Sequence, residues 1–193
     1  LVSGGGTNLQ ALIDAEARGE IKNGEITCVI ASKQGAYALT RAEKAGIKTR
    51  VIERKQYPDS KTFSADLLAA LKEEEADLVV YAGFMTIVDR MVSEAFPYRM
   101  MNVHPALIPS FCGKGFYGLH VHEAVLKSGV KVTGATVHFV NEVCDGGAII
   151  LQKAVDVKNG DTPESLQKRV MEEAEWRILP KAVSLFCEDR IKI

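Results

Sequence analysis

The sequence predicts an α/β fold: a mostly parallel sheet with helices on both faces and an antiparallel strand pair near the C-terminus. Three observations carry that expectation. Short apolar runs alternate with segments of helical period through the first 104 residues. A cluster of glycines separates the first apolar run from the first helix. Two long strand-like runs then follow one another late in the chain.

Leu1-Val2 reads as the end of a strand that begins before this sequence, and Leu9, Leu12, Ile13 and Ala17 follow at helical spacing. Residues 26–31 read as a buried strand. An alanine-rich helix over 36–45 comes next and stops at Gly46. Residues 49–52 form a short third strand, and Phe63, Leu67, Ala70 and Leu71 mark one face of a long helix. Residues 78–81 are continuously apolar, as strands buried on both faces are. A weaker helix covers 88–95, and a fifth strand covers 100–104. This order implies parallel strands joined by right-handed crossovers. Residues 132–140 and 148–157 are long strands with Cys144-Asp145-Gly146-Gly147 between them, hence the antiparallel or bulged pair. The last helix opens with Thr162 as cap and Pro163 in its first turn. Leu166, Val170, Ala174 and Ile178 form its buried stripe, and Pro180 should kink or divide it. No repeat or linker interrupts the chain, so one domain over 1–193 is expected.

A chain of 193 residues suits one well-packed domain. Hydrophobic residues make up 47% and charged residues 25%. Lys plus Arg total 24 against 25 Asp plus Glu, which leaves no basic field to hold a nucleic-acid backbone. No apolar stretch reaches the roughly 18 residues of a membrane span. The four cysteines, Cys28, Cys112, Cys144 and Cys187, stand far apart. That spacing suits a reducing compartment, and a cytoplasmic location is expected.

Ser3-Gly4-Gly5-Gly6-Thr7-Asn8 sits between strand and helix, where bare backbone and free N–H groups favour an anion. A dinucleotide site is disfavoured. Leu9 stands where the fingerprint needs its third glycine, and the second strand runs into Ser32-Lys33 without an acidic residue. A monophosphate fits better. Asn102 and His104, two apart on a strand, share a face, and Pro105 ends the ladder. An amide donor beside an imidazole suits acyl transfer, although a capped structural His gives the same pattern. Asp145 could orient His104 or raise its pKa, yet Asp-Gly is also ordinary turn chemistry. His120 and His122 would diverge on a helix and share a face on a strand. With no cluster of further His, Cys or carboxylates nearby in sequence, no metal site is expected. His138 reads as a structural residue on a sheet face.

Five runs together resemble the glycinamide ribonucleotide formyltransferase family. They are residues 3–10 (SGGGTNLQ), 82–85 (AGFM), 102–109 (NVHPALIP), 134–140 (GATVHFV) and 145–152 (DGGAIILQ). The resemblance implies a Rossmann-like sheet and formyl transfer from 10-formyltetrahydrofolate to the substrate's glycine amine, with no metal. It implies that Asn102 stabilises the tetrahedral oxyanion, that His104 is general acid and proton relay, and that Asp145 tunes His104. By the same resemblance, Gly5, Gly6, Thr7 and Asn8 cradle the substrate phosphate. Gly83 allows close approach, and Glu175 contacts the glycinamide amine. Phe84, Met85, Thr86, Ile87 and Val88, with Val140, Asn141, Glu142, Val143 and Cys144, line the folate pocket. Two departures stand out. Thr86 occupies a position where many members carry a basic residue, and the 110–118 loop is a few residues longer than short versions, with Lys114 a candidate ligand contact. The expected partners are small molecules, acting on a monomer or homodimer. A formyltetrahydrofolate hydrolase or a non-catalytic nucleotide-binding domain remains the alternative. The RNA-binding domain usual in methionyl-tRNA formyltransferases is not seen.

Overall fold

Consecutive residues of a strand point to opposite faces, so a sheet buried on both sides needs two apolar layers. The central strands supply them. Val29 and Ala31 pack into one core cluster while Ile30 packs into the other. Met101 and Val103 join the first cluster and Met100 the second. The structure, a computed structural model, describes residues 1–192; residue 193 of the expected domain lies outside the described residues.

Strand β1 (Cys28–Ala31) pairs in parallel with β2 (Lys48–Val51), and β3 (Val79–Tyr81) pairs in parallel with β4 (Met100–His104). Residues 1–3 knit these pairs together. The Val2 N–H donates to the Ile30 carbonyl at 3.0 Å, and the Ala82 N–H donates to the Leu1 carbonyl at 2.9 Å. Strand β5 (Val132–Phe139) then runs antiparallel to β4, and β6 (Ile149–Asp156) runs antiparallel to β5. The sheet therefore has a parallel half and an antiparallel half, with β4 as the shared strand.

Helices α1 (Thr7–Ala17), α2 (Tyr37–Lys44), α5 (Leu119–Ser128), α6 (Pro163–Val170) and α7 (Trp176–Cys187) cover one face through the first cluster. Helices α3 (Ser60–Glu73) and α4 (Arg90–Ala95) cover the other, with Phe63, Leu67 and Val92 buried beneath them. In α1 the chain buries Ala15 while Ala17 is exposed, so the apolar stripe is narrower than the sequence spacing suggests.

Two features differ from the sequence expectation. Helix α5, not anticipated, takes up the His120-Val121-His122 run. Its signal is a single pair four residues apart, Val121 and Val125, both fully buried. Pro180 lies inside α7 and does not end it. The irregularity falls one turn earlier, in a π turn over Met171–Glu175. A π turn widens the helix by one residue, and such turns are frequent at functional sites.

One buried hydroxyl fixes the backbone just beyond β4. Thr136, on β5, donates to the Ala106 carbonyl at 2.7 Å and accepts from the Ile108 N–H at 3.1 Å and the Gln152 amide at 3.0 Å. Thr136→Val keeps the shape and leaves the buried Ala106 carbonyl without its donor. Urea unfolding should show a loss of about 2 kcal/mol, the cost of a broken buried hydrogen-bond hub. An unchanged midpoint would show that the hub contributes nothing.

Candidate active site

β4 places Asn102 and His104 on one face, and antiparallel pairing sets His138 opposite Asn102 and Thr136 opposite His104. The β5–β6 pairing slips by one residue at Val137/His138, where β6 carries an extra residue. Such a bulge re-aims side chains next to it. The turn between the strands brings Asp145 back over this group with φ +55°, a left-handed conformation that Asp tolerates better than most residues.

The result is a closed cluster. Asp145 Oδ2 lies 3.5 Å from His104 Nδ1, and Oδ1 lies 3.5 Å from His138 Nε2. The Asn102 amide nitrogen is 3.2 Å from His138 Nε2. His138 Nδ1 sits 2.8 Å from the Phe139 carbonyl, which can only accept, so Nδ1 carries the proton and Nε2 accepts from Asn102. Asn102 keeps its second N–H and its oxygen for a ligand. The Gly113 N–H donates to Asp145 Oδ2 at 2.9 Å, and the Phe111 carbonyl lies 2.8 Å from His104 Nε2.

Burial dominates the electrostatics. It lowers the His104 pKa against the opposing pull of Asp145 and the Phe111 carbonyl, so the imidazole titrates below its ordinary value. The sequence expectation that Asp145 raises this pKa holds for one contribution and not for the sum. Burial pushes the Asp145 carboxyl up, but the His138 contact, the His104 charge and the Gly113 N–H outweigh it, and it titrates below the usual carboxylate range. His122, reaching in from α5, is fully buried with neither ring nitrogen hydrogen-bonded. Burial, with the His104 charge, lowers its pKa to about 4. At neutral pH the His104 and His122 imidazoles are therefore neutral, beside one carboxylate.

The glycine loop forms a second candidate subsite. Gly6 caps α1 at φ +71°, and a side chain there would meet the Cβ of Ala38 at 2.6 Å. A Cβ at Gly4 or Gly5 would meet nothing. No side chain caps α1, so the first N–H groups of the helix at Thr7 and Asn8 remain open to an anion. Arg41, which sequence reading did not single out, donates to the Gly5 carbonyl at 2.8 Å and adds a cation beside the loop. The Asn8 side chain turns inward and donates to Glu175 at 2.8 Å. Burial pushes the Glu175 carboxyl up to about 7, with the Asn8 bond pulling the other way. The π turn is what delivers Glu175 to this place.

The remaining candidates divide by exposure. Gly83 turns the chain at φ +77°, and its carbonyl accepts from Ser3 N–H at 3.2 Å. Phe84 is buried against Tyr81, with ring centroids 5.1 Å apart, and belongs to the core. Met85 and Ile87 are exposed, Thr86 and Val88 are half-buried, and the Met85 N–H donates to the Ser3 hydroxyl. Val140 packs on the second core cluster, whereas Asn141, Glu142, Val143 and Cys144 are exposed. Lys114 is exposed as well. His138, Phe111, Gly113 and Arg41 are the site members that sequence reading missed. Only the pairing register opposite Asn102 could have flagged His138, and backbone groups leave no sequence signal. Among the described residues, no group of three or more His, Cys, Asp or Glu is disposed to hold a metal ion. Also among them, no helix is long and apolar enough to cross a membrane.

A family model described as formyl transferase matches residues 1–183. The chain is 37% identical over 193 residues to a phosphoribosylglycinamide formyltransferase of Haemophilus influenzae, covering 88% of that protein. It is 43% identical to a trifunctional purine biosynthetic protein, adenosine-3, of Gallus gallus, of whose length it spans 18%. The crystal structure of glycinamide ribonucleotide transformylase 1 from Symbiobacterium toebii superposes with a TM-score of 0.93 at 43% identity. It covers all of this chain and 87% of that one.

His122 yields a stability test. Its folded pKa lies below that of an unfolded histidine, so its stabilising contribution is full above about pH 6.5 and is lost as the pH falls toward 4. His122→Leu should keep the urea midpoint at pH 7 and flatten its fall between pH 6.5 and 4.5. An undiminished fall would mean that other groups set the acid sensitivity.

Proposed function

The chain belongs to the formyl transferase family, and from that premise we propose that it moves the formyl group of 10-formyltetrahydrofolate onto the glycine amine of glycinamide ribonucleotide, a step of purine biosynthesis. The observation that carries this reading is the pairing of the Asn102–His104–His138–Asp145 cluster, with its two histidines buried, with an anion-ready loop backed by Arg41. A hydrolase needs the cluster alone. An acceptor with a phosphate needs both.

The chemistry follows from the geometry. The substrate amine must be neutral to attack the formyl carbon, whose carbonyl electrons move to oxygen as the new C–N bond forms. The free N–H of Asn102 donates to that oxyanion, a task in which one preorganised donor is worth about 3 kcal/mol. His104, neutral at rest because it is buried, takes the proton that the attacking nitrogen sheds. Asp145 stabilises the imidazolium so formed. His104 then gives the proton to the departing folate nitrogen as the C–N10 bond breaks and the oxyanion collapses to the new formamide. Charge never leaves the site, and no metal is needed for the balance.

The α1 N-terminus and Arg41 suit the ribonucleotide phosphate. Glu175 is tied to that end through Asn8, which supports hydrogen bonds to the adjacent ribose hydroxyls in preference to the glycine amine. A carboxylate beside the amine would hold it as ammonium and oppose attack. The exposed Met85, Ile87 and Val143 and the half-buried Thr86 and Val88 offer an apolar wall suited to a folate ring. The free cysteines suit a reducing compartment, in keeping with a cytoplasmic enzyme.

Purified protein should consume 10-formyltetrahydrofolate only when glycinamide ribonucleotide is supplied. Folate loss to free formate without the acceptor would favour a hydrolase. His104→Ala should cut kcat by about 10³-fold or more at unchanged stability, and full residual activity would remove His104 from the mechanism. The acid limb of the wild-type kcat/KM profile should fall below the ordinary histidine value near 6.5, since burial lowers His104. A limb at or above 6.5 would contradict the burial argument.

A further inference from the structure

The 110–118 loop touches both proton-handling groups through its backbone, and it does so within three residues. The Phe111 carbonyl lies 2.8 Å from His104 Nε2, and the Gly113 N–H donates 2.9 Å to Asp145 Oδ2. A carbonyl accepts and cannot donate, so the nitrogen facing Phe111 must carry the hydrogen. His104 is then an Nε2–H imidazole with its lone pair at Nδ1, and Nδ1 is the atom that faces Asp145 at 3.5 Å. A neutral imidazole would otherwise be free to place its hydrogen on Nδ1, toward the carboxylate, and in that form Nδ1 could not take a proton. We infer that the backbone of residues 111–113 is a positioning segment that selects the Nε2–H tautomer of His104 and so makes Nδ1 the proton-accepting atom. This inference rests on the formyl-transfer reading for its consequence, though not for its geometry.

The segment is built for that task. Phe111 holds φ +49°, a left-handed conformation unusual for a bulky residue, and this conformation turns its carbonyl back onto β4. Its ring is pinned edge-on against Phe116, 6.4 Å between centroids, and packs on the first core cluster. With the Gly113 N–H on Oδ2, Asp145 is held with that oxygen toward His104. The titratable groups facing His104 are Asp145 from the β5–β6 turn, His138 from β5 and His122 from α5. His122 stays neutral over the working range and does not compete for the proton. When Nδ1 takes a proton, the imidazolium finds an acceptor at each end, the Phe111 carbonyl and the Asp145 carboxylate. The loop therefore fixes the resting tautomer and also solvates the charged state.

Histidine-labelled protein, read by long-range proton–nitrogen NMR correlation, tests this without reference to turnover. The His104 ring signals are identified by their disappearance in His104→Gln. The expected result is a protonated Nε2 and a bare Nδ1 at pH 7.5. A protonated Nδ1, or an even mixture of the two forms, overturns the inference whatever the enzyme catalyses. Two variants extend the test. Phe111→Gly tolerates φ +49° and keeps the carbonyl in place, whereas Phe111→Pro is locked near φ −65° and must swing it away. Both lose the ring, so packing loss is common to them. The Gly variant should keep the Nε2–H form. The Pro variant should become a tautomer mixture and lose about tenfold more kcat than the Gly variant, with KM little changed. Equal tautomer ratios in the two variants would also overturn the inference. Failure of the acceptor-dependence assay would instead overturn the transfer reading and leave the tautomer result standing.

Discussion

Residues that face each other across an antiparallel ladder hold their Cβ atoms about 5 Å apart, and in this protein that spacing assembles the candidate catalytic groups. Asn102 faces His138 and His104 faces Thr136 because β5 runs against β4 in one particular register. A slip of one residue would turn Asn102 and His104 toward different neighbours and break the Thr136 hub in the same movement. The parallel half of the sheet carries the glycine loop, and the antiparallel half carries the carboxylate. β4, which carries Asn102 and His104, belongs to both halves.

The site works through burial more than through charge. Burial keeps His104 and His122 neutral, while Asp145 is held in the charged form beside the Gly113 N–H. Glu175 shows the opposite outcome from the same cause: it has one donor, Asn8, and burial lifts its carboxyl to about 7. The two carboxyl groups differ in enclosure: Glu175 is buried, whereas Asp145 is half-buried. Asp145 suits proton traffic at a developing cation, and Glu175 suits recognition of neutral hydrogen-bond donors.

Much of this was legible in the sequence because it depends on local patterns. Strand alternation placed Asn102 and His104 together, and glycines before a helix marked the anion loop. Alternating apolar segments gave the parallel half of the sheet. Asp145 alone was ambiguous between a turn and a site, and only the family motifs linked it to His104. The missing parts depend on contacts that sequence spacing does not encode. His138 joins the cluster through register and a bulge, Arg41 through packing of α2 against the loop, and Phe111 and Gly113 through backbone atoms that any residue carries. Phe84 also shows what a motif does not encode. Its place in the AGFM run suggests a ligand wall, yet its ring is buried against Tyr81.

If β4–β5 pairing makes Asn102 and His138 one functional unit, their removal must be non-additive. The direct measurement is kcat for Asn102→Ala, for His138→Ala and for the double variant, each with folding verified. The account predicts a double variant within about threefold of Asn102→Ala alone, since His138 acts by holding that amide. Losses that multiply would show that the two residues act independently and would contradict the account.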